Sequence, residues 1–156
     1  MTLGRRVGFI LLLAFLFGAC GDGQTAGQAG GGIREEIVDG VRLWAHANRG
    51  DGGGNDALIA GTVGYDADAQ CLYLEDGDLR YPVIWPYDAE IVSGDPLTIA
   101  AGGVSGITVG TYVEGGGGYH RASTFDVNIP DGCLGPYEEV AQFNQRERIT
   151  ASTPDE

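Results

Sequence analysis

Three residue types of a hydrolase triad lie close together in the C-terminal part of the chain: His120, Ser123 and Asp126. A catalytic triad needs three side chains that converge from separate elements, with the nucleophile on a sharp turn. Here the serine and the aspartate lie on or beside one expected strand, and no Gly-x-Ser-x-Gly segment occurs. The spacing therefore favours a chance grouping, and the sequence assigns no catalytic residue.

Sites for metal ions and phosphates are also weakly indicated. The two histidines, His46 and His120, lack the HExxH motif or the spaced cysteines that mark a zinc site, so no metal ligands are predicted. The acidic turns at 66–68 and 75–78 could bind calcium, which prefers carboxylate oxygens, but solvated hairpin turns are the simpler explanation. The glycine run 115–118 has no Lys-Ser or Lys-Thr after it and is therefore no P-loop. No cofactor is predicted.

Aromatic side chains are the best candidates for a binding surface: Tyr73, Tyr81, Trp85, Tyr87, Tyr112 and Tyr119. On one face of a barrel, several of them could stack on a sugar or on a peptide side chain. We predict that Trp85, Tyr87 and Tyr119 border the binding face, because the adjacent glycine run lets a ligand approach Tyr119 closely. The alternative places Trp85 in the core, beneath a disulfide.

These side chains must be positioned by the stretch 57–86, which is expected to form three short strands joined by two acidic turns. Residues 57–65 form the first expected strand, with Ile59, Val63 and Tyr65 on one face. Residues 71–75 alternate cleanly, with Leu72 and Leu74 on one side, and 80–85 returns as the third strand. The Asp-Gly-Asp segment before the third strand is typical of a hairpin turn. Pro82 indicates an edge position or a bulge, since proline cannot donate to the ladder.

The sequence after residue 86 also contains short strand patterns separated by turn signals. It predicts a hairpin over 97–109, a strand at 111–114, a glycine break at 115–118, a strand at 123–129, a strand or short helix at 138–144, and a polar tail at 146–156. Five to seven short strands with frequent turn signals predict an all-β domain over 57–145. A small antiparallel barrel of the OB-like type fits the strand count best, and a β-sandwich is the alternative.

Residues 33–48 fit two local structures. Apolar residues spaced three or four apart slightly favour a short amphipathic helix, whereas Asp39-Gly40 in the middle could turn a hairpin. Glycine-rich segments lie on both sides, at 20–32 and 49–56. We therefore expect 20–56 to be a flexible tether that includes this short helix.

Charge limits the choice of partner. The chain has a formal net charge of −13, and all nine of its cationic residues are arginines. A surface of this charge repels phosphate backbones, so nucleic acid is not expected as a partner.

Residues 1–19 have the pattern of a secretory signal peptide, with Arg5-Arg6 before an apolar run at 7–17 that is too short to span a bilayer. The following Gly18-Ala19-Cys20 resembles the lipobox of bacterial lipoproteins. The resemblance implies that Cys20 is acylated and becomes the first residue of the mature protein. One departure is Phe17, where the family usually has an aliphatic residue. The alternative is an ordinary signal peptide with a chance cysteine.

With Cys20 lipidated, Cys71 and Cys133 remain as an even pair in an oxidising compartment, which predicts one disulfide. Two buried free thiols are the alternative. The stretch 57–135 also resembles a small cysteine-bridged β-domain of lipoproteins from high-GC bacteria. That resemblance implies no catalytic residues.

These features together predict a non-catalytic binding module, lipid-anchored on the extracytoplasmic side of the cell membrane. Its partner would be an envelope protein or a glycan. The alternatives are a small envelope hydrolase that acts through His120 and a structural subunit of an envelope complex.

Overall fold

The computed structural model describes residues 32–50 and 54–153. The predicted signal peptide at 1–19, the lipidated Cys20 and the tether as far as residue 31 lie outside these ranges. Within them the chain forms eleven β-strands and two short 3₁₀ turns, and the described residues contain no α-helix. The predicted all-β class is therefore confirmed.

The strands in chain order are β1 (Ile33–Val38), β2 (Val41–His46), β3 (Ala57–Asp66), β4 (Cys71–Asp76), β5 (Leu79–Trp85), β6 (Glu90–Gly94), β7 (Leu97–Ala101), β8 (Val104–Thr108), β9 (Tyr112–Arg121), β10 (Glu139–Phe143) and β11 (Thr150–Ser152). The 3₁₀ turns are Ala122–Thr124 and Asp131–Cys133. Eight strands form one mixed sheet. The strands β6, β7 and β8, which lie between β5 and β9 in the sequence, form a separate antiparallel sheet.

Five strands of the larger sheet have the connectivity of an OB fold. The antiparallel pairs are β3 with β4, β4 with β5, β9 with β3, and β9 with β10, while β5 and β10 pair in parallel. The pairing order therefore returns to β3, as in the predicted OB-like barrel. The barrel is not fully closed, because β5 and β10 pair at only two positions and β2 replaces β4 beside the end of β5.

Pro82 marks the position at which β5 changes partners. Pairing with β4 runs from Leu79 to Pro82, and pairing with β10 and β2 begins at Val83 and Ile84. A residue without an amide hydrogen is tolerated at such a break in a ladder. The proline therefore lies at an opening of the barrel, in an otherwise central strand.

Two apolar cores hold the fold together. The first fills the barrel and includes Leu43, Ile59, Leu74, Trp85 and Phe143, with β6, β7 and β8 adding isoleucines at one end. The second lies outside the barrel wall, beneath the 122–138 segment that joins β9 to β10. Its buried members are Trp44, Cys71, Ile84, Ile129, Cys133 and Val140. The predicted disulfide joins Cys71 to Cys133 within this second core.

The slightly favoured helix at 33–48 is wrong, and the hairpin alternative is correct. Asp39 and Gly40 both have positive φ values, 52° and 80°, as a type I′ hairpin turn requires. Leu43 enters the barrel core while the next residue, Trp44, enters the second core. Because the strand is buried on both faces, its sequence does not show the period of two that is typical of a half-buried strand. The hairpin is therefore part of the domain rather than of the tether.

The expected glycine break at 115–118 is instead the middle of β9. A Cβ on Gly117 would collide with the carbonyl oxygen of Gln142 and with Ile59 Cδ1. A Cβ on Gly115 would lie 3.1 Å from the Phe143 ring. Glycine is needed here because larger side chains from the neighbouring strands already fill the barrel interior.

Two further expectations are corrected. The 123–129 segment is a 3₁₀ turn and a loop, and its alternating apolar residues pack the loop onto the second core. The expected polar tail contains β11, which pairs with β9, preceded by the buried Ile149. Ile149 and Ala151 pack on the barrel core, and the β11–β9 pairing holds the rest of the tail.

Candidate functional site

Trp85 is a core residue, so its predicted place on a binding face is wrong. The side chain is fully buried and stacks on Phe143, with ring centroids 5.6 Å apart. It shares its inward direction with Val83, two residues earlier on β5. Nor does it lie beneath the disulfide, because Trp44 is the tryptophan of the second core.

Tyr87 and Tyr119 are half-buried in different surroundings. The Arg49 guanidinium lies 5.6 Å from the centroid of the Tyr87 ring. Tyr119 packs against Tyr81, with centroids 4.7 Å apart, and burial raises the pKa of both phenols. The three aromatic residues predicted for one binding face therefore do not form one surface.

The histidines have structural partners. His120 Nε2 lies 2.9 Å from Asn55 Nδ2, and its ring meets Phe125 edge-on at 6.0 Å. Among the described residues no hydrogen bond joins His120 to Ser123 or Asp126. His46 is buried, with Nε2 2.8 Å from the Phe143 carbonyl oxygen, and desolvation lowers the pKa of its imidazole.

The acidic turns serve local structure. One carboxylate oxygen of Asp66 accepts hydrogen bonds from the amides of Asp68 and Ala69, at 3.0 Å and 2.9 Å. Over 32–50 and 54–153, no three His, Cys, Asp or Glu side chains are grouped closely enough to hold a metal ion. Nor does that part of the chain include a helix with the length and apolar character needed to cross a membrane.

A pocket of about 190 Å³ lies beside the disulfide, on the outer side of β4 and β5. We call it the disulfide pocket. It is lined by Asp66, Cys71, Tyr73, Asp78, Arg80 and residues 132–136. The β4–β5 hairpin supplies one wall, and the segment between β9 and β10 supplies the other.

The centre of this pocket is the pair Tyr73 and Arg80. The guanidinium of Arg80 lies 4.7 Å from the centroid of the Tyr73 ring, within the range of a cation–π interaction. The ring also lies against Gly64, where any Cβ would collide with it. No described carboxylate forms an ion pair with Arg80. Its N–H groups therefore remain able to donate to a ligand.

The opposite wall is held in place by backbone packing and by the disulfide. A Cβ on Gly135 would lie 2.6 Å from the carbonyl oxygen of Arg80, so only glycine lets this segment approach β5 so closely. The amides of Cys133 and Leu134 donate to the carbonyl oxygens of Pro130 and Asp131, at 2.8 Å and 3.1 Å. The wall is thus fixed at both the disulfide and the strand.

Tyr137 follows directly after the wall and is 63% exposed. Leu134 and Pro136 supply apolar surface to the pocket, and Tyr137 is the next residue along the chain. The sequence alone does not mark Arg80, Leu134 or Tyr137 as binding residues. One feature of the sequence pointed to this pocket: Tyr73 and Cys71 lie on the same face of their strand. A disulfide from Cys71 to Cys133 therefore brings the residues after Cys133 next to Tyr73.

Comparison with models of known protein families, with curated proteins and with solved structures finds no match for this chain.

Proposed function

We propose that this chain is a non-catalytic protein-binding module, lipid-anchored through Cys20 on the extracytoplasmic side of a bacterial cell membrane. The observation that carries the binding role is the disulfide pocket. An arginine without an ionic partner among the described residues, two carboxylates and an apolar wall meet there.

The position of the pocket agrees with the way OB folds bind ligands. Such domains use the face of their second and third strands, flanked by the loops after strands one and four. In this barrel those elements are β4, β5, the 67–70 turn and the 122–138 segment. The disulfide ties that segment to the start of β4, so both sides of the pocket are held together.

The size and chemistry of the pocket favour a protein partner. Its volume of about 190 Å³ is below the range of roughly 300–1,000 Å³ that is usual for small-molecule sites. It therefore suits one inserted side chain. Tyrosine and arginine are among the residues most enriched at the centres of protein interfaces. Tyr73 and Arg80 line the pocket, and the exposed Tyr137 lies next to its wall in the chain.

Binding can be tested by purifying partners from the native envelope with three variants. We expect Arg80→Gln and Tyr137→Ser to lose the partner, because they remove a charged donor and an exposed apolar contact. Leu58→Ser is the matched control, since Leu58 is 66% exposed and does not line the pocket. Equal capture by all three variants would reject the pocket. Capture of glycan without protein would reject the proposed partner class.

The anchor can be tested separately. Cys20→Ser should move the protein from the membrane fraction to the soluble fraction, because stable attachment depends on the acyl chains. Partitioning of this variant into detergent like the unaltered protein would refute the lipoprotein proposal. It would leave the binding proposal intact.

A further inference from the structure

A second pocket, of about 260 Å³, lies at the end of the barrel near β6 and the β7–β8 turn. We call it the arginine pocket. It shares no lining residue with the disulfide pocket. Its lining includes Arg49, Arg146 and Arg148, with Tyr87, Asp88 and Glu147.

The convergence of three arginines is unusual in this chain. The formal net charge is −13 and there are only nine arginines, two of which, Arg5 and Arg6, precede the described residues. Three of the other seven line this one pocket. In the part of the chain that the structure describes, the only ion pairs are Arg34 with Glu36 and Arg42 with Glu35.

The two carboxylates of the pocket accept hydrogen bonds from amide groups rather than from its arginines. Asp88 accepts hydrogen bonds from the backbone amides of Gly102 and Gly103, at 3.0 Å and 3.2 Å. Glu147 accepts from the side-chain amide of Asn144, at 3.4 Å. Neither lies within ion-pair distance of a described arginine. The pocket therefore holds three guanidinium groups against two carboxylates, which form no ion pair with them.

The arginines are held in different ways. Arg49 lies over the Tyr87 ring, at 5.6 Å. Arg146 donates to the carbonyl oxygens of Arg49 and Gly50 and so ties this corner to the C-terminal segment. The Arg148 side chain is exposed and forms no hydrogen bond with a described residue. Arg49 and Arg148 are thus the two arginines best able to bind a ligand.

We propose that the arginine pocket binds a phosphoryl group. Guanidinium N–H groups match the geometry of phosphate oxygens in two parallel hydrogen bonds, and several of them complement a dianion. The ligand would carry a single phosphoryl group rather than a polymer of them, because the overall negative charge repels an extended phosphate backbone. This site is independent of the protein-binding role proposed for the disulfide pocket.

The test is a titration of the isotope-labelled domain with inorganic phosphate, followed by NMR at constant ionic strength with chloride as the balancing ion. We expect saturable shifts of the arginine side-chain Nε–H signals and of the Gly102 and Gly103 amides. Arg148→Gln should weaken binding by about tenfold or more, the effect of losing one charge-assisted contact. Arg49→Gln should do the same.

Arg121→Gln is the matched control, because Arg121 is an exposed arginine that does not line the pocket. It should bind phosphate like the unaltered domain. Shifts that rise without saturation would overturn the proposal, as would equal weakening by Arg121→Gln and Arg148→Gln. Equal shifts with chloride alone would also overturn it, since they would reflect bulk charge screening.

Discussion

Reduction of the Cys71–Cys133 disulfide should remove a large share of the domain's stability. The two cysteines are 62 residues apart. In the chain-entropy model a closed loop of this length lowers the entropy of the unfolded chain by an amount equal to about 4 kcal/mol at room temperature. Small domains are stable by only about 5–15 kcal/mol in total, so the loss should be easily measured.

The assay is chemical denaturation of the oxidised protein and of the same protein kept reduced. This comparison leaves every side chain in place and isolates the cross-link. For a domain of this size, about 4 kcal/mol corresponds to a fall of roughly 15 °C in melting temperature. A Cys71→Ala, Cys133→Ala variant should fall somewhat further, because both sulfurs are buried in the second core.

A difference below about 1 kcal/mol between the two redox states would refute this reasoning. It would mean that the unfolded chain already holds the two cysteines close together. Hydrogen exchange offers a second readout. The amides of 131–134 should lose protection on reduction before those of the barrel strands, because the bridge anchors the segment that contains them.

Three further predictions concern the core. Trp85→Ala should lower the free energy of unfolding, measured by denaturant titration, by about 3–5 kcal/mol, as expected for a buried aromatic residue. A change near zero would mean that Trp85 is exposed rather than buried. Gly117→Ala should cost about 1–3 kcal/mol through overpacking, whereas Gly32→Ala, with nothing within 4 Å of its Cβ, should be nearly neutral. Burial lowers the pKa of His46 below its ordinary value of 6.5, so the unfolded chain binds a proton first as the pH falls. The free energy of unfolding should therefore decrease below about pH 6.5, by at most about 1.4 kcal/mol per pH unit from this residue. His46→Gln should reduce that slope, and an unchanged slope would contradict the assignment.

Much of the barrel was predictable from local pattern. In β3 and β4 the residues that face the barrel core lie at alternate positions, as Leu72 and Leu74 do, and the hairpin turns at Gly77-Asp78, within the acidic segment that predicts it. The disulfide followed from counting cysteines. In each case a local rule was sufficient, since the neighbouring strand lies next in the sequence.

The errors arose where distant residues decide the structure. The glycines of β9 suggest a break when read alone, but Phe143 and Ile59 fill the space above them. Trp44 and Leu43 are buried in different cores, so β2 shows no alternation. The disulfide pocket depends on a segment that the bridge brings to β4, and neither Arg80 nor Tyr137 carries a local signal of that contact.

The most direct test of the proposed binding role is site-specific photo-crosslinking in the native envelope. A photoreactive phenylalanine derivative in place of Tyr137 is exposed and directly follows Pro136 of the pocket wall, and the same residue in place of Leu58 provides the exposed control. We predict a discrete protein adduct from position 137, its loss when Arg80→Gln is added, and no such adduct from position 58. No adduct from position 137, or the same adduct from both positions, would contradict the proposal that the disulfide pocket binds a protein.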